Sequence, residues 1–176
     1  MTTREGLGID IGGVIIARVG RDSDTSFFSE KYLDTPAMPG AFEVIRRLVD
    51  ERFGSRVFLV SKCGPKTRAK TLRWLKHHRF FERTGVKPKH LRFCVERIEK
   101  GPICRKLGIT HFVDDHLDVL LNLKTVPYRF LFDLAIDRSN TKPRALGAIM
   151  TVNCWSEIAD AVLPAGSRWP SKASSK

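Results

Sequence analysis

A chain of 176 residues with 42% hydrophobic and 28% charged side chains can bury a core of its own, which excludes wholesale disorder and any need for disulfides or a structural metal. No apolar run reaches the ~18 residues of a membrane span, Met1 to Gly6 lacks the apolar stretch of a secretory signal, and Cys63, Cys94, Cys104 and Cys154 show no CxxC or zinc-type spacing, so a cytoplasmic protein with reduced thiols and no membrane contact is expected. Lys and Arg number 31 against 19 Asp and Glu, a net charge of +12 that favours phosphorylated or polyanionic partners.

Leu7 to Ile11 reads as a short strand ending at the Gly12-Gly13 turn, and Val14 to Ala17 as a second extended piece. Residues 17–40 suit a β-hairpin flap edged by Phe27, Phe28 and Tyr32. Ala41 to Arg52 spaces Phe42, Ile45, Leu48 and Val49 for a helix. Arg56 to Val60 is an apolar strand, and Pro65 opens a helix to about His78 with Ala69, Leu72 and Leu75 on its apolar face. Leu91 to Val95 is the next strand, followed by a helix from about Gly101 to Leu107 that Gly108 stops. Thr110 to Val113 is a strand ending at Asp114-Asp115, and Leu117 to Leu123 is helical. Tyr128 to Phe132 and Ala148 to Val152 are strands, and a last helix runs from Trp155 to Leu163, with Asn153 or Ser156 available to cap it. Residues 1–164 thus form one domain, and 165–176 a basic tail expected to be disordered. The alternation predicts an α/β, Rossmann-like parallel sheet with helices on both faces.

In such sheets ligands bind outside the carboxyl ends of the strands. Three strands end there in Asp10, in Ser61-Lys62 and in Asp114-Asp115, and Lys100 precedes the third. Clustered carboxylates repel one another unless a cation joins them, and Mg²⁺ takes such oxygen ligands together with substrate phosphate oxygens. An Asp beside the metal can attack phosphorus, a Ser can hydrogen-bond a phosphoryl oxygen, and a Lys can stabilise the transferring charge. The set suffices for phosphoryl transfer to water.

The same residues carry a resemblance. Gly8-Ile9-Asp10-Ile11-Gly12-Gly13-Val14-Ile15 resembles the first motif of the haloacid dehalogenase (HAD) superfamily, Val57 to Ser61 its second, Lys100-Gly101-Pro102 its third, and His111 to Asp115 its fourth. The four occur in order across residues 7–118. The resemblance implies Asp10 as nucleophile and metal ligand, Ser61 and Lys100 as the other catalytic residues, and Mg²⁺ held by Asp10, the Gly12 carbonyl, Asp114 and Asp115. Gly12, Gly13, Ser61, Lys62 and Lys100 are the expected substrate-binding residues. Lys87 and Lys89 are rivals for the Lys100 role but precede a strand. Asp118 either orients a ligand water or caps a helix. One position departs from the pattern: many HAD phosphatases carry a second Asp two residues after the nucleophile as acid and base, and this chain has Gly12. General acid–base help is worth roughly 10²–10⁴-fold. Either turnover survives with a good leaving group or another acid such as His116, or the chain is a phosphate- or nucleic-acid-binding module on the enzyme scaffold. A dehalogenase is a third reading, which the retained acid pair disfavours.

Fifty-one positions separate Asp10 from Ser61 and 39 separate Ser61 from Lys100, and helices and strands already fill much of both gaps. Neither has room for a folded cap, so the resemblance is to the capless type, whose open sites admit large substrates or a neighbouring subunit in an oligomer. Residues 46–106 hold 19 basic and 5 acidic side chains, so this segment alone carries +14. Lys62, Lys66, Arg68, Lys70 and Arg73, interleaved with Trp74, His77, His78, Phe80 and Phe81, are candidates for contact with nucleic acid. A phosphate on a nucleotide, on a nucleic-acid end or on a small metabolite is the expected substrate.

Overall fold

The computed structural model describes residues 4–18, 30–135, 145–146 and 149–163. Among the described residues seven strands form one sheet: β1 (Leu7–Ile9), β2 (Val57–Lys62), β3 (Leu91–Cys94), β4 (His111–Asp114), β5 (Tyr128–Phe132), β6 (Ala145–Leu146) and β7 (Ile149–Val152). Their order is β3-β2-β1-β4-β5-β7-β6, parallel throughout except for β6 on β7. The chain steps outward from β1 to β2 and β3, then returns to the other side of β1 as β4. The reversal lies between β1 and β4, and the crevice at such a switch point is where α/β sheets bind ligands.

Helices cover both faces: α1 (Ala41–Leu48), α2 (Pro65–His77), α3 (Phe80–Thr84), α4 (Lys100–Leu107), α5 (Leu117–Asn122) and α6 (Trp155–Val162). The period-2 pattern of the strands sorts their side chains between two cores. Leu7, Ile9, Val57, Leu59, Val113 and Phe130 join Leu48, Trp74, Phe80 and Trp155 on one face. Phe58, Val60 and Phe112 join Cys104 and Leu120 on the other. Gly8 faces Phe112 across the β1–β4 ladder, and a Cβ there would collide with the Phe112 ring. The residue is glycine because the ring occupies that space.

Val14 to Ala17 is not a strand. The Ile11 carbonyl accepts the N–H groups of Ile15 (2.9 Å) and Ile16 (3.0 Å), and Gly13 sits at φ +77°, so the chain turns back on itself. Val14 and Ile15 are apolar because this turn is buried. Phe27 and Phe28 of the expected flap lie outside the described residues, as do residues 165–176. Tyr32 is buried in a short 3-10 turn, Tyr32–Asp34, and the described residues after it form no hairpin; Ile16 bridges antiparallel to Ala37. The helix after Ala41 ends at Leu48 and continues as a wider π turn, Val49–Phe53.

The buried face of α2 is Thr71, Trp74 and Leu75, not Ala69 and Leu72, which are exposed. Trp74 sets the rotation: its indole N–H donates to the Thr35 carbonyl at 2.8 Å, and Phe42 packs edge-on against its ring. Trp74 and Phe80 are fully buried and present no stacking surface to a ligand. Helix α6 has Cys154 at its N-cap, without a side-chain cap; the Asn153 N–H donates instead to Glu157 Oε2 at 2.9 Å. Cys63, Cys94, Cys104 and Cys154 are all free thiols. No helix among the described residues is long and apolar enough to cross a membrane.

Candidate active site

Each candidate side chain is delivered by the end of a strand or by the first turn of the helix after it. Asp10 follows β1 and extends its ladder, its N–H donating to the Val113 carbonyl at 2.9 Å. Ser61 and Lys62 end β2, Asp114 ends β4, and Lys100 opens α4. A 3-10 turn, Arg97–Glu99, precedes α4 and is locked by a capping box between Glu96 and Glu99. It aims Lys100 back under the sheet edge.

Asp10, Ser61, Lys100 and Asp114 are all buried. The Lys100 Nζ donates to Asp114 Oδ2 at 2.7 Å and lies 3.0 Å from Asp10 Oδ1. The second contact is an ion pair without hydrogen-bond alignment, and Asp10 Oδ1 accepts no hydrogen bond from any described residue. A cleft of about 210 Å³ opens over this group. Asp10, Gly12, Gly13, Ser61, Lys62 and Lys100 all line it, so the ends of β1 and β2 and the start of α4 converge on one space. Asp114 lies beneath the wall, fully buried, with its Oδ1 accepting the His116 N–H at 2.9 Å. Asp115 is held from two sides, by Arg18 at 2.5 Å and by His116 Nδ1 at 2.6 Å. Gly13 lets this pair approach, because a Cβ there would collide with the Asp115 carboxylate.

The titration of these groups follows from burial and neighbours. Burial pushes the Asp10 carboxyl up to about 6, Lys100 opposes the rise, and Asp114 and Asp115 add to it. Burial also works against the Lys100 charge, but Asp10 and Asp114 outweigh it and hold the ammonium above its ordinary value. Burial works against the Asp114 carboxylate as well, yet His116 and Lys100 keep it below the usual range. His116 is raised to about 9 by its hydrogen bonds to Asp114 and Asp115, so it is a cation at neutral pH.

Asp118 does not reach the group: it is exposed in the first turn of α5 and pairs with Arg97 at 3.7 Å. Lys87 and Lys89 precede β3, at the opposite edge of the sheet from the cleft. Two charged cleft residues escaped sequence reasoning, Arg18 and Arg97, as did the hydroxyl-bearing Thr67 and Thr71. Arg18 follows a buried stretch that reads as a strand, so the Gly12-Gly13 turn alone does not show the reversal that returns it to Asp115. Gly12 is exposed, and a Cβ at this position would meet no atom within 4 Å. The missing acid at position 12 is therefore not imposed by crowding.

No protein-family model matches the sequence, and no curated protein matches it. Solved structures do. A haloacid dehalogenase-like family hydrolase from Xanthomonas campestris superposes with a TM-score of 0.55 over 90% of this chain and 94% of its own, at 8% identity. A dehalogenase solved with an intermediate complex superposes with a TM-score of 0.50 over 73% of this chain, at 17% identity, and the chain spans 57% of that protein's length. The fold is the α/β, Rossmann-like architecture of these HAD-like proteins.

Proposed function

We propose that the chain is a Mg²⁺-dependent phosphohydrolase of HAD type, acting on a phosphomonoester through an aspartyl-phosphate at Asp10. The observation that carries this reading is the placement of one buried ammonium, Lys100, between two buried carboxylates, Asp10 and Asp114, at the switch point of the sheet. The oxygens that would hold the metal are the carboxylates of Asp10, Asp114 and Asp115 and the Gly12 carbonyl, with His116 Nδ1 beside the acid pair. Asp10 Oδ1 is buried, and apart from the Lys100 ammonium at 3.0 Å no donor among the described residues reaches it, so it is an oxygen that suits a hard cation. These residues would hold Mg²⁺, which when bound neutralises charge on the phosphoryl group.

Above pH 6 the Asp10 carboxylate is ionised, as a nucleophile must be. Its oxygen attacks phosphorus, the bond to the leaving oxygen breaks, and water then cleaves the aspartyl-phosphate to release phosphate. The Ser61 hydroxyl donates to a phosphoryl oxygen, and Lys100 offsets the negative charge that Asp10 and the phosphoryl group bring together. Gly12 supplies no proton to the leaving group, so esters with good leaving groups are the favoured substrates. An open, capless site belongs to the same reading, since between β2 and β3 the chain forms only α2, α3 and a short turn. The acid pair Asp114-Asp115 supports metal-assisted phosphoryl chemistry over dehalogenation. Gly12 supports one second reading, a phosphate-binding protein without turnover. The test is phosphate release from p-nitrophenyl phosphate with Mg²⁺ or with EDTA. Activity that needs both the metal and Asp10 is expected, and activity equal to that of Asp10→Asn refutes the proposal.

A further inference from the structure

The fold divides the basic side chains into two unlike populations. Around α1 they are neutralised: Arg46 pairs with Asp50 at 2.6 Å, Arg47 with Glu51 at 2.9 Å, Arg52 with Glu5 at 2.8 Å and Arg83 with Glu43 at 3.5 Å. Within the cleft Arg18, Arg97 and Lys100 are paired too, but four cations at its rim and along α2 are not. Lys62, Lys66, Arg73 and Lys76 are exposed, and no carboxylate of the described residues lies in ion-pair reach of them. Unneutralised charge therefore stands beside the cleft along α2, as it also does at Lys87, Lys89, Arg105 and Lys106 elsewhere on the surface.

The geometry of α2 makes that field a track. Lys62 lines the cleft and α2 begins three residues later, running about 20 Å. Lys66, Arg73 and Lys76 fall within about 80° of one another around this helix and, with Lys62, make four cations on one side. On its other flank α2 borders an apolar groove of about 290 Å³, lined by Leu72, Phe93 and Val95, with the Arg68 guanidinium 5.1 Å from the Phe93 ring centre. Leu72 and Val95 are 42% and 66% exposed. Cys63 lines both the groove and the cleft, so the two spaces adjoin. Repeated cations beside a guanidinium-faced aromatic ring are what a single nucleic-acid strand requires, phosphates for the track and a base for the ring. A phosphopeptide concentrates its charge at one group and leaves the row of cations without a partner.

We propose that this chain binds single-stranded nucleic acid along α2, with the adjoining base in the Phe93–Leu72 groove and the terminal phosphate in the Asp10 cleft. The placement of the terminal phosphate rests on the phosphohydrolase reading; the track along α2 does not. Binding is measured by fluorescence anisotropy on the Asp10→Asn protein in EDTA, where no turnover intervenes, using ten-nucleotide oligothymidylates with a 3′-phosphate, a 5′-phosphate or neither. Four phosphate contacts give a slope of about −3 in log affinity against log salt, or roughly 50-fold weaker binding at 200 mM than at 50 mM salt. In the K66Q/R73Q/K76Q variant the slope falls to about −1, while p-nitrophenyl phosphate hydrolysis by the same substitutions in the otherwise wild-type chain is unchanged. Leu72→Glu weakens binding several-fold without changing the slope. A wild-type slope shallower than −1, a triple variant that binds like the parent, or equal displacement by an acidic phosphopeptide overturns the track. Equal affinity for phosphorylated and unphosphorylated strands overturns the terminal-phosphate placement. Failure of the phosphohydrolase reading shows separately, as absent ester hydrolysis with oligonucleotide binding intact.

Discussion

His111 makes the stability of this protein acid-sensitive in a way that can be computed and removed. The ring opens β4 and is fully buried, stacked on Tyr128 with centroids 4.5 Å apart and edge-on to Phe53 at 5.0 Å. Its Nδ1 meets the Thr110 hydroxyl at 2.9 Å, and its Nε2 has no partner. Burial, with Arg52 nearby, lowers its pKa from 6.5 to about 4. The unfolded ring therefore takes up a proton at a higher pH than the folded one. Its contribution is complete above pH 6.5 and is lost as pH falls toward 4. Working both titrations through, this ring alone removes about 2 kcal/mol between pH 8 and pH 5, levelling near 3 kcal/mol below pH 4. His111→Phe keeps a planar ring against Tyr128 and Phe53 and cannot titrate. Urea unfolding of both proteins at pH 8 and pH 5 isolates the effect, because every other titrating group is common to the two. The wild type is expected to lose about 2 kcal/mol more than the variant over this interval. Parallel losses refute the reasoning.

Gly12→Asp places a carboxylate where a Cβ meets nothing within 4 Å, so it should fold normally and raise turnover of esters with poor leaving groups by roughly 10²-fold. Steady-state kinetics on an alkyl phosphate checks this, and an unchanged rate rules out position 12 as the missing acid. Gly8→Ala drives a methyl group into the Phe112 ring and should cost about 2 kcal/mol, lowering Tm by about 5 °C in a thermal melt. Lys100→Met leaves Asp10 and Asp114 facing each other without their shared cation and should destabilise the protein by about 3 kcal/mol in EDTA. Calorimetry with and without Mg²⁺ should show part of that loss restored by the metal.

The parts of the fold legible in the sequence are those where one local rule decides the outcome. Val57 to Val60 is apolar at every position because β2 is buried on both faces. Gly108 ends α4 with φ +62° because the next residue must leave the helix. Reading fails where tertiary contacts choose between equal local options. Val14 to Ala17 has strand composition but forms a turn, and burial alone explains those residue types. On α2, Leu72 has a stronger claim to the core than Thr71 by hydropathy, and Trp74 overrules it by rotating the helix toward Thr35. Asp10, Ser61, Lys100 and Asp114 were legible because the ends of parallel strands must meet at one edge. The pairing of Asp115 with Arg18 and His116 was not, because it depends on a glycine-permitted reversal of the chain.

The ammonium shared by Asp10 and Asp114 has a consequence for how the protein is assembled. Two carboxylates buried side by side would resist folding until some cation arrived. Here the chain brings its own, so the strands carrying them can close on one another in a medium without divalent ions. Folding is thereby uncoupled from metal supply. On the proposed function, a divalent ion would have to compete with Lys100 for Asp114 Oδ2, so its occupancy would follow ion concentration rather than be a condition of the protein's existence.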